Sequence, residues 1–80
     1  MKRLNDIAMQ NAKELGYDIV YPAGERDGYH YYRFDYANRP KYLGHPYVIR
    51  ISSLGDIERV LDLDERYWAV KQTTTPLQSS

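Results

Sequence analysis

The chain has 80 residues, no cysteine, and eleven acidic against eleven basic side chains, for a formal net charge of zero. That length makes one domain with a small core. The composition excludes disulfide staples, thiolate chemistry and four-cysteine zinc sites, and it argues against a generic polyanion binder or an acidic mimic of nucleic acid. Met1-Lys2-Arg3 leads into an amphipathic stretch and not an apolar run, so neither a signal peptide nor a membrane span is expected. A secreted domain of this size normally carries disulfides, which points to the cytoplasm.

Leu4 to Leu15 reads as an amphipathic helix. Leu4, Ile7, Ala8, Asn11, Ala12 and Leu15 recur at i, i+3, i+4 and i+7, the spacing that gathers them on one face. Gly16 follows directly, where a left-handed residue commonly closes a helix. Tyr17 to Tyr21 then alternates, with Tyr17, Ile19 and Tyr21 on one side and Asp18 and Val20 on the other. This predicts a short strand that Pro22 ends. Ala23 to Gly28 has the Gly and Asp content of a hairpin connection. Tyr29 to Tyr36 is the second strand. His30, Tyr32, Phe34 and Tyr36 share one face, and Tyr29, Tyr31, Arg33 and Asp35 share the other. The first is the core side, because it holds the single phenylalanine and no formal charge.

Ala37 to Pro46 is the longest connection, punctuated by Pro40, Gly44 and Pro46. Tyr47 to Ile51 is the third strand, with Tyr47, Ile49 and Ile51 inward and Val48 and Arg50 outward. Ser53, followed three residues later by Asp56, resembles a capping box and predicts a second helix from about Leu54 to about Lys71. Leu54, Ile57, Leu61 and Trp68 form one stripe of it, and Val60, Leu63, Tyr67 and Val70 form a second. An alternative stops the helix near Asp62 and makes Arg66 to Gln72 a fourth strand, since Tyr67-Trp68-Ala69-Val70 has strand-like composition. Residues 1–72 then make a single α+β domain, and residues 73–80 a polar tail. The expected architecture is a three-stranded antiparallel sheet in α-β-β-β-α order with both helices packed on one face.

That arrangement leaves the other sheet face open, and six of the nine tyrosines lie between Tyr29 and Tyr47. Tyr29, Tyr31, Arg33 and Arg50 fall on the open face, and Arg39 and Tyr42 on the long connection. Tyrosine and arginine are enriched at interface hot spots, so these six residues are the predicted contact set for a protein partner. Four of the tyrosines, Tyr17, Tyr32, Tyr36 and Tyr47, go instead to completing a core short of other aromatics. The charges are segregated as well. Arg33 to Arg50 holds four basic residues against Asp35, and Asp56 to Glu65 holds five acids against Arg59. A homodimer that covers the tyrosine face with a second copy is a further arrangement.

The alternative partner is nucleic acid, with rings stacking on bases and arginines meeting phosphates. The string Gly28-Tyr29-His30 at the start of the second strand, in this order of elements, resembles the HicA-type mRNA-interferase toxins. They carry Gly-Ser-His there with a catalytic histidine, so the resemblance implies RNA cleavage by His30. Tyr29 stands in place of the serine, the first hairpin is longer, and the strongly basic character is missing. His30 and His45 have no organised carboxylate or cysteine partner for a metal, and no cofactor motif is present. A small neutral chain with a tyrosine surface and no catalytic set is similar in style to accessory inhibitors and adaptors, among them phage-encoded anti-CRISPR proteins. The expected function is therefore non-enzymatic protein binding.

Overall fold

The computed structural model describes residues 4–36, 47–72 and 75–77. Helix α1, Leu4–Leu15, buries Ala8 and Ala12 against the sheet. It closes as the sequence predicts. Gly16 adopts φ 89°, its N–H donates to the Lys13 carbonyl, and Tyr17 N–H donates to the Ala12 carbonyl. This is the paired bonding of a Schellman cap, which needs a residue free to enter the left-handed region.

Four strands follow: β1 (Ile19–Arg26), β2 (Tyr29–Asp35), β3 (Tyr47–Ser52) and β4 (Ile57–Arg59). They form an antiparallel sheet in the order β1-β2-β3-β4. The chain closes with helix α2, Leu63–Gln72. None of the described helices is long and apolar enough to cross a membrane. The α+β class and the antiparallel order of the first three strands are as the sequence predicts.

Strand β1 runs further than predicted. Pro22 does not end it, because β1 is an edge strand and a missing N–H costs nothing on the outer side. The register slips between Pro22 and Gly24, and this bulge absorbs Ala23. The strand then continues to a two-residue turn at Asp27-Gly28, both with positive φ, 54° and 81°, as the hairpin turns that match strand twist require. Within β1 the faces are also exchanged: Val20, expected with Asp18 on the open face, turns to the α1 side. Val20 pairs with Phe34 and is buried beside it, and Tyr21 lies across from Arg33.

The second half departs most from expectation. The run predicted as one helix from Leu54 holds a hairpin, a strand and a shorter helix. Ser53-Leu54-Gly55 is a three-residue loop: Gly55 N–H donates to the Ser52 carbonyl and Ser52 N–H to the Asp56 carbonyl. Gly55 sits at φ 92°, the left-handed position that ends such loops. The Ser52 hydroxyl accepts from Asp56 N–H at 3.1 Å, so the serine that caps is one residue earlier and caps a turn. The true helix start is Asp62, whose carboxylate accepts from Glu65 N–H at 2.9 Å, a side-chain N-cap. The fourth strand is thus Ile57–Arg59, and Tyr67 and Trp68 lie on helix α2.

The two helices lie on opposite faces of the sheet, not on one. Ala8 and Ala12 of α1 cluster with Val20, Tyr32, Phe34, Ile49 and Ile51. Ala69 of α2 clusters with Ala23, Tyr31, Val48 and Val60, with Trp68 and Val70 packed alongside. Adjacent residues of a strand point to opposite faces, so Tyr31 and Tyr32, or Val48 and Ile49, serve separate cores. The physical reason is the early end of β4: the chain turns into α2 after Val60 has entered the face away from α1. Leu77, in the segment predicted as a tail, packs against the α1 cluster and donates its N–H to the Val20 carbonyl at 2.7 Å.

Candidate protein-interaction surface

The sheet face predicted to be open is covered by α2. Tyr31 is only 2% exposed, and its ring meets Trp68 edge-on at 5.2 Å. Its hydroxyl donates to Glu65 at 3.0 Å. Burial first, then the Glu65 carboxylate, push the Tyr31 phenol above its ordinary value, against the opposing pull of Arg50. Arg50 donates through Nε (2.9 Å) and Nη2 (2.7 Å) to one Glu58 oxygen and approaches Glu65 at 3.5 Å. Its guanidinium lies 4.2 Å from the Tyr29 ring centroid. The hydrogen bonds to Glu58 hold its pKa above the usual arginine value. Arg33 bonds Asp35 at 2.9 Å and stacks 4.1 Å over Tyr21.

The predicted contact set is therefore divided. Tyr29, Tyr31, Arg33 and Arg50 are on one sheet face, as predicted, but Tyr31 is core, and both arginines are bonded to carboxylates of this chain. Arg39 and Tyr42 lie outside the described residues, as does His45. His30 sits on the opposite face from Tyr31, paired with Glu25 at 3.2 Å.

What remains exposed is elsewhere. Five of the six large hydrophobics exposed among the described residues are Leu54, Ile57, Leu61, Leu63 and Tyr67; the sixth is Leu15. Leu54 is 88% and Leu61 68% exposed. All five belong to the run from the β3–β4 loop into α2. Sequence reasoning assigned them to the apolar arc of a helix and so buried them. The signal that relocates them is Gly55: after Ser53-Leu54 it makes a hairpin loop, which changes the period of the following residues from 3.6 to 2.

The same run forms the free edge of the sheet. In β4, Glu58 pairs with Arg50, and the flanking bonds join Ser52 N–H to Asp56 O and Val60 N–H to Val48 O. Even-numbered residues thus bond inward to β3. In an antiparallel ladder the intervening residues point their N–H and C=O the other way, so Ile57 and Arg59 direct theirs outward. The β1 edge is closed by contrast: Pro22 offers no donor, the bulge breaks the repeat, and the Val20 carbonyl is taken by Leu77. Comparison with known protein families, with curated proteins and with solved structures finds no match to this chain.

Proposed function

We propose that this chain is a small non-enzymatic protein-binding module, working in the manner of an inhibitor or adaptor. Its contact surface is the β4 side of the molecule. The observation that carries this reading is the concentration of exposed Leu54, Ile57, Leu61, Leu63 and Tyr67 in one short run. Fully burying one such side chain is worth roughly 1.5–3 kcal/mol. A small domain that leaves five of them partly or largely in solvent forgoes stability it has little of, and exposed apolar side chains gathered along one run are a feature of interaction sites. Leu63 and Tyr67 are one helical turn apart on α2, so they share its outer face.

The alternative of an RNA-binding or HicA-like RNA-cleaving domain draws less support. Arg33 and Arg50, the described arginines of the basic segment, are neutralised by Asp35 and by Glu58 with Glu65, so they are poor phosphate ligands.

The test is capture from host lysate on the tagged chain, with and without nuclease, beside the double variant Leu63→Glu/Tyr67→Glu. The reading expects a protein that survives nuclease and is lost on the double variant, with the melting temperature of that variant unchanged. Capture that depends on nucleic acid, or that ignores both substitutions, would overturn it.

A further inference from the structure

We infer that the β4 edge accepts, as a fifth strand, an extended segment of a partner protein with the pattern apolar–any–acidic–any–apolar, its carboxylate set against Arg59. This rests on the protein-binding reading above and specifies its occupant. The argument begins with the main chain. Ile57 and Arg59 direct two N–H groups and two carbonyls away from β3. Neither residue has another backbone partner among the described residues. An added strand satisfies such groups, and side chains at alternate positions supply the selectivity.

The side chains then define the pattern. Ile57 lies across from Ile51, and Arg59 across from Ile49, so both project to the α1 face. The Arg59 guanidinium rests 4.7 Å from the Tyr47 ring centroid, with no carboxylate of the described residues in ion-pairing reach. It is held in place but not neutralised, unlike Arg33 and Arg50. A residue opposite Arg59 on a fifth strand faces the same side of the sheet, and a carboxylate there completes the missing pair. Two residues to either side, the partner strand meets Ile57 and the exposed Leu61, which favour aliphatic side chains. The intervening positions lie opposite Glu58, already engaged by Arg50, and Val60, already buried in the α2-side cluster.

A second copy of this chain is the disfavoured occupant. Antiparallel self-pairing about a two-fold axis opposes Glu58 to Asp56 when centred on Ile57. Centred on Glu58 it opposes Glu58 to itself, and centred on Arg59 it opposes Arg59 to itself. Directly opposed like charges destabilise a strand pair, so each register is penalised while a strand with a central carboxylate is not.

The probe is a random dodecapeptide library displayed on phage and panned against the full chain. The expected result is enrichment of the stated pattern. Selected peptides should bind Arg59→Glu weaker by about tenfold, and panning on Arg59→Glu should replace the central acid with lysine or arginine. Backbone amide exchange supplies a measurement independent of any variant. In the free protein the N–H groups of Ile57 and Arg59 should exchange faster than those of Glu58 and Val60, and a selected peptide should slow the first pair. No enrichment, peptides indifferent to Arg59→Glu, or slowed exchange away from β4 would each overturn the inference. If lysate capture is still lost with Leu63→Glu/Tyr67→Glu, only the strand-addition step has failed. If that capture is also indifferent, the protein-binding reading fails with it.

Discussion

The two faces of the sheet are built from different chemistry. Under α1 the contacts are almost wholly apolar: Ala8, Ala12, Val20, Phe34, Ile49 and Ile51, with Phe34 stacked on Tyr47 and Tyr17 tilted against both rings. Tyr32 donates its hydroxyl to Asn5 at 2.7 Å, which satisfies the polar atom that this ring would otherwise bury unpaired. Under α2, Tyr31, Val48, Val60 and Ala69 are ringed by Arg50, Glu58 and Glu65, and by Arg26 over Trp68 at 5.2 Å. Ala69 is the only fully buried residue of that helix. The difference teaches where each helix gets its hold. Helix α1 is held by area removed from water, and α2 by a small apolar contact oriented with charge-assisted bonds.

The sharpest way to break that comparison is to remove area from the α1 face. Phe34→Ala should cost about 3–5 kcal/mol, enough to unfold a domain whose total stability is expected near the lower end of roughly 5–15 kcal/mol. Urea titration followed by circular dichroism measures it. A loss under about 1 kcal/mol would mean that the α1 face is not the main core.

This asymmetry explains how much of the fold was legible. Helix α1, its glycine cap and the inward faces of β2 and β3 were readable, because one period persisted over each run and one terminator ended it. The second half was not. Leu54, Ile57 and Leu61 satisfy a helical spacing by coincidence, while Ile57–Arg59 form a strand whose residues are all exposed and carry no apolar–polar alternation. Only Gly55 and Asp62 discriminate, one as a loop residue and one as a cap. Misplacing that segment put both helices on one side, and so left Tyr31 and Arg33 on a face that α2 covers. Each finds its polar partner within the same chain, Glu65 for the Tyr31 hydroxyl and Asp35 for Arg33. The exposed strip was illegible for a general reason: periodicity shows which residues share a face and not whether anything covers it.

Alkaline pH probes both faces at once. Burial raises the phenol pKa of Tyr17, Tyr31 and Tyr32 above the ordinary 10.0. A phenol whose pKa is raised on folding binds its proton more tightly in the native state. Its contribution is complete below the unfolded value and is lost as pH climbs through the folded one. The melting temperature should therefore hold steady to about pH 9 and fall above about pH 10. Tyr32→Phe should shallow that fall, at the expense of the Asn5 bond at neutral pH. A melting temperature flat to about pH 12 would place these hydroxyls in water.

The smallest effect separates the two faces most cleanly. Tyr31→Phe keeps the ring against Trp68 and removes one O–H donated to Glu65. A hydrogen bond to a charged group is worth more than a neutral one, but the Glu65 carboxylate is partly solvated and retains Arg50, so the loss should be about 1 kcal/mol. Tyr31 and Glu65 then act as a pair: in a double-mutant cycle with Glu65→Ala, most of that loss should vanish once either partner is gone. Salt supplies the contrast with the other face. At about 1 M the screening length falls to about 3 Å, so the Arg50–Glu65 approach should weaken and the Trp68 fluorescence should report loosening of α2. The cost of Phe34→Ala should barely change under the same conditions, because apolar burial carries no charge to screen. Equal salt sensitivity on the two faces would mean that α2 is held by burial after all, and that its carboxylates only decorate the contact.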